Sequence, residues 1–91
     1  MGFRNLIPLT TQLILLHMID SIKNTYHLDY LQVFELSIEH RDGNDLQKIV
    51  LSQEKPARSK TTYFPLEKMV TAKVFVIDDG DHHTFLLADE Y

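Results

Sequence analysis

Apolar side chains crowd one stretch near the start of the chain. They fall at Leu9, Leu13, Ile14, Leu15, Leu16, Met18, Ile19 and Ile22, just after Pro8. Proline is accommodated in a first helical turn, where its missing N–H costs nothing. At about 100° per residue these side chains cover well over half of a helix circumference. Thr10, His17, Ser21 and Asn24 hold the remaining polar sector. The pattern predicts a helix from Pro8 to about Asn24, where a polar, turn-like stretch begins. A helix lying on a small sheet needs only a narrower apolar stripe. This one is therefore expected to be buried on two sides, by a wrapping sheet or by a second copy of the chain.

After residue 30 the period drops to two, the signature of strands. Phe34, Leu36 and Ile38 alternate with Glu35, Ser37 and Glu39, predicting a strand over 30–39. Its first half carries Leu31 and Val33 on the second face, so that end is apolar on both sides. Arg41-Asp42-Gly43-Asn44 predicts a tight turn, because Gly43 takes positive φ cheaply and Asp42 and Asn44 tolerate turn geometry. A return strand over 46–53 places Ile49 and Leu51 on the face of Phe34 and Leu36. Residues 55–60 (KPARSK) read as a loop, and 61–64 as a short strand stopped by Pro65. Residues 66–71 read as a connector with room for one helical turn. Residues 72–77 form the strongest strand pattern, apolar on both faces and so expected at the centre of the sheet. Residues 78–81 turn the chain, and 84–88 return as the last strand. The fold class expected is α+β: one N-terminal helix on a mostly antiparallel sheet of four to five strands.

The length of 91 residues suits a single domain spanning 1–91. The apolar fraction of 44% is too high for a disordered chain. The apolar run at 13–19 is interrupted by His17 and falls far short of the about 20 residues a bilayer span requires. With no cleavage-site pattern after it, a cytoplasmic protein is expected rather than a secreted or membrane-bound one. There are no cysteines, which removes disulfides, thiol nucleophiles and thiolate-bound zinc from consideration.

The net charge of −4 is unevenly spread. Residues 47–73 carry six basic and two acidic groups, whereas residues 74–91 carry five acidic groups and no basic one. The negative total argues against general nucleic-acid binding, which depends on neutralising phosphates. The basic middle keeps a local anion site in play at Lys55, Arg58 and Lys60, with Tyr63 as a stacking surface. A solvated basic loop explains the same residues more simply.

Other polar clusters carry less. Asp78, Asp79, Asp81, His82 and His83 are metal-ligand types, but lack the alternate acids and late glutamate of a calcium loop. His82 and His83 would point to opposite faces of a strand. A hairpin turn accounts for the cluster, so no metal site is assigned, and a metal-dependent enzyme at 78–83 stays the weaker alternative. His17 has Asp20 within reach but no nucleophile, and reads as an exposed helix residue. Asp89 and Glu90 are consecutive acids near the chain end, not an acid–base pair in a dry pocket. No catalytic residue and no cofactor motif is identified. What remains is the apolar excess, which predicts a protein partner or self-association. Leu15, Met18 and Ile22 on the helix, with Leu31 and Val33 on the first strand, are the candidate partner-binding residues.

The segments 29–36 (DYLQVFEL) and 72–80 (AKVFVIDDG), with the ending 86–91 (LLADEY), resemble a family of short uncharacterised proteins from Gram-positive bacteria and their mobile elements. It is a domain of unknown function, number nine hundred and sixty in its series. The resemblance runs from Ile7-Pro8 to Tyr91. It implies a small α+β fold in bacterial cytoplasm and transfers no catalytic residues.

Overall fold

The computed structural model describes residues 6–23, 30–54, 57–78 and 82–88. A helix, α1 (Leu9–Lys23), precedes five strands: β1 (Leu31–Arg41), β2 (Asn44–Glu54), β3 (Ala57–Phe64), β4 (Ala72–Asp78) and β5 (His83–Leu87). They form one sheet in the order β3-β2-β1-β4-β5, antiparallel at every pairing. The result is an α+β fold with the helix packed on one face of the sheet.

The turn between β1 and β2 is two residues long. Asp42 has φ 50° and Gly43 φ 81°. Two successive positive φ values make the tight connection whose twist matches that of the flanking strands. They let β1 run two residues beyond its expected end, to Arg41.

Strand alternation decides which side chains meet the helix. Phe34 pairs with Leu51 and Val74, and Leu36 with Ile49 and Ala72. Phe34, Leu36, Ile49, Leu51, Val74, Val76 and Leu87 are buried on that face. Thr11, Leu15, Met18, Ile19 and Ile22 are the fully buried residues of α1 and, threonine aside, join the same core. These helix positions recur at three and four residues, so they form one stripe.

Three expectations are corrected. Residues 57–60 are strand and not loop: the ladder runs from Glu54↔Ala57 through Leu51↔Lys60. An edge strand can carry such polar residues because its backbone pairs on one side and its cations reach water. The strand 72–78 is interior but not central, since β1 occupies the middle. The connector at 65–71 contains no helical turn. It is held instead by the buried side chain of Gln47, which bonds the backbone of Val70. No helix among the described residues is long and apolar enough to cross a membrane.

Candidate interaction surface

α1 is covered by the sheet on one side only. Opposite its buried stripe stand Leu9, Leu13 and Leu16, which are 68%, 58% and 48% exposed. Their spacing of four and then three residues lines them up along the outer side of the helix. Leu6, also exposed, precedes the helix and lies outside this row. Exposed single leucines are ordinary, but a row of three along one helix side is the pattern of a surface that meets something.

The row opens at its start into a cleft of about 760 Å³. Leu6–Thr10 form one wall; Pro65, Leu66, Glu67, Lys68 and Val70 form the other. Gln47 sets that second wall, because its bonds to Val70 fix the connector against the sheet. Leu9 thus belongs both to the leucine row and to the cleft, and Leu6 lines the cleft alone.

The candidate partner-binding residues separate into two places. Leu15, Met18 and Ile22 lie in the core, at 0%, 4% and 3% exposure, so they offer nothing to a partner. The apolar excess of the helix resides in Leu9, Leu13 and Leu16 instead. Both sets have helical spacing, so spacing alone does not distinguish them; the sheet chooses between them. Leu31 and Val33 point to the sheet face away from the helix and are half-buried there. Val33 pairs with Phe75, which pairs with Leu86, and Leu31 pairs with Ile77. Glu35 and Lys73, 3.9 Å apart, border this second apolar patch.

The anion-binding set does not converge. Lys55 lies outside the described residues. Arg58 and Lys60 are exposed on β3. Two residues apart on a strand, they share the face that also bears Phe64, whereas Tyr63 turns to the opposite face. There the guanidinium of Arg41 stacks on the Tyr63 ring, 4.2 Å from its centroid, and pairs with Glu39 at 2.5 Å. Reading 57–60 as a loop hid this, because strand alternation is what separates Tyr63 from the cations.

The polar cluster at 78–83 is only partly described. Asp79, Gly80 and Asp81 lie outside the described residues, while Asp78 and His83 pair across β4 and β5. Among the described residues no group of three or more histidine and acidic side chains is placed to hold a metal ion. His17 is exposed on α1, and His40 pairs with Asp45 across the β1–β2 hairpin. His27, Asp89 and Glu90 lie outside the described residues.

No curated protein and no solved structure matches the chain. One family model does, over residues 1–90, and its description is "Staphylococcal protein of unknown function (DUF960)". That match covers the helix and all five strands, and the chain belongs to this family.

Proposed function

We propose that the chain is a small cytoplasmic interaction or regulatory module with no chemistry of its own, and that self-association is its simplest mode of action. The observation that carries this reading is the row Leu9, Leu13 and Leu16, exposed on the side of α1 that faces away from the sheet. Leaving it in water forgoes about 25 cal/mol for each Å² of apolar surface that a partner would cover. The cleft beside it adds a concave wall of proline and leucine.

The test compares wild type with a Leu9→Ser, Leu13→Ser, Leu16→Ser variant. None of these residues is in the core, so in dilute solution the variant should keep the wild-type circular dichroism, with only the modest loss of stability that serine brings to a helix. Wild type is expected to self-associate with rising concentration in sedimentation velocity, or to hold a protein after cross-linking in cells, and the variant to lose that association. A wild type that stays monomeric and shares every cross-linked neighbour with the variant overturns the reading.

A further inference from the structure

We infer that the outer edge of β3 takes up an extended acidic segment of another protein as an added strand, with acidic side chains set against Arg58 and Lys60. This surface is separate from the leucine row and does not depend on it.

The backbone supplies the first reason. β3 ends the sheet order β3-β2-β1-β4-β5, so it pairs with β2 on one side and is an edge on the other. The ladders fix which groups lie on that edge. The two-residue turn closes on Arg41↔Asn44 as a hydrogen-bonded pair. Even-numbered residues of β2 therefore bond toward β1, and odd-numbered ones toward β3. The bond from the Asp78 N–H to the Tyr30 carbonyl agrees, since the same alternation turns Tyr30 toward β4. Gln47, Ile49, Leu51 and Gln53 have Phe64, Thr62, Lys60 and Arg58 as their β3 partners. The backbone of those four is engaged, whereas Ala57, Ser59, Thr61 and Tyr63 turn N–H and carbonyl outward.

Nothing closes this edge. β3 has 8 residues, more than the about five or six of an ordinary strand. Its register runs from Glu54↔Ala57 to Gln47↔Phe64 without a bulge. Ala57–Thr61 are exposed, so no helix covers them. Such an edge is a template for one more strand.

Charge selects the occupant. Ala57–Phe64 holds two cations and no acid. The side chains directly opposite Lys60 and Arg58 on β2 are Leu51 and Gln53. Arg58 keeps a local bond to the Ala57 carbonyl at 3.2 Å, so Lys60 is the stronger determinant. On an added strand, the residues opposite Arg58 and Lys60 form the pairs without backbone bonds, whose side chains lie closer. Acids attract there and cations repel. The other face sets Ser59 and Thr61 against the partner, which suits threonine. Cations on an edge strand keep other strands away. They disfavour a second copy too, because the registers that pair most of β3 with β3 set the cations of the two copies opposite or diagonal to each other. The complement of this edge is a strand that alternates acids with threonine-like residues.

The test titrates the isotope-labelled full chain with three peptides as long as β3. One alternates threonine with glutamate, one alternates threonine with lysine, and one has the first composition with its glutamates grouped together. With the alternating glutamate peptide, amide signals are expected to shift at Ala57, Ser59, Thr61 and Tyr63. Its affinity should exceed that of the lysine peptide about tenfold, with the grouped peptide in between. Lys60→Glu should reverse the preference. Thr61→Pro removes one outward N–H and leaves the ladder to β2 intact. It should keep the wild-type circular dichroism and bind about tenfold more weakly. Ser59→Pro, at the next outward position, gives the same reading if Thr61→Pro does not fold. Equal binding of the glutamate and lysine peptides overturns the acidic occupant. Unchanged binding by a folded proline variant overturns strand addition and leaves a charge contact only. No shift at about 1 mM glutamate peptide overturns the proposal outright. Shifts of β3 that follow protein concentration alone put a second copy on the edge, and overturn it as well.

Discussion

Gln47 and Val70 are joined by two hydrogen bonds between a side-chain amide and a backbone. Gln47 Oε1 accepts from the Val70 N–H at 2.8 Å, and Gln47 Nε2 donates to the Val70 carbonyl at 3.0 Å. The same Nε2 donates to the Ser37 carbonyl at 2.9 Å. One buried amide thus replaces a strand partner for the connector between β3 and β4, and holds the cleft wall in place.

Removing that amide should be costly. Gln47→Leu keeps most of the volume but leaves the N–H and carbonyl of Val70 and the carbonyl of Ser37 without this partner. A loss of about 2–3 kcal/mol in urea unfolding is expected. Hydrogen exchange at the Val70 amide should rise more than at Ile49 in the ladder. Equal protection at both amides would show that the connector is held by something else.

The two outward directions of α1 can be told apart by truncation. Leu15→Ala opens a cavity at a fully buried site and should cost about 2–5 kcal/mol. Leu13→Ala removes a side chain already 58% exposed. In the dilute monomer it should change stability by less than about 0.5 kcal/mol. Chemical denaturation at low micromolar concentration checks both. Comparable losses would mean that Leu13 is covered as well as Leu15, and a larger loss at Leu13 that the helix sits on the sheet by its other face.

The β1–β2 turn makes a sharper prediction about backbone strain. A Cβ on Gly43 would meet nothing within 4 Å, so Gly43→Ala is penalised by its φ of 81° alone. The expected cost is about 1–2 kcal/mol. Asp42→Asn, at φ 50°, should be neutral or stabilising by a few tenths, since Asn-Gly suits two positive φ values. Thermal unfolding of the two variants decides it; a neutral Gly43→Ala would remove the strain argument.

Much of this was legible in the residues because it depends on local chemistry. The 3.6-residue spacing marked α1, and the alternation Phe34, Leu36 against Glu35, Ser37 marked β1. Asp42-Gly43 marked the turn because few residue pairs accept its backbone. The strand at 57–60 was not legible: Ala57, Arg58, Ser59 and Lys60 have poor intrinsic strand preference, and it is the ladder to β2 that orders them.

The sequence by itself determined the helix, the place of the β1–β2 turn and the presence of more apolar surface than one small sheet can cover. Those follow from spacing and from the conformational limits of single residues. Only the tertiary structure decided where the excess lies. Leu15-Met18-Ile22 and Leu9-Leu13-Leu16 are equally apolar and equally spaced, so nothing local separates them. The sheet can cover only one side of a cylinder, and it covers the first set. Likewise Arg58, Lys60 and Tyr63 are neighbours along the chain, but strand pleating sends Tyr63 to the opposite face.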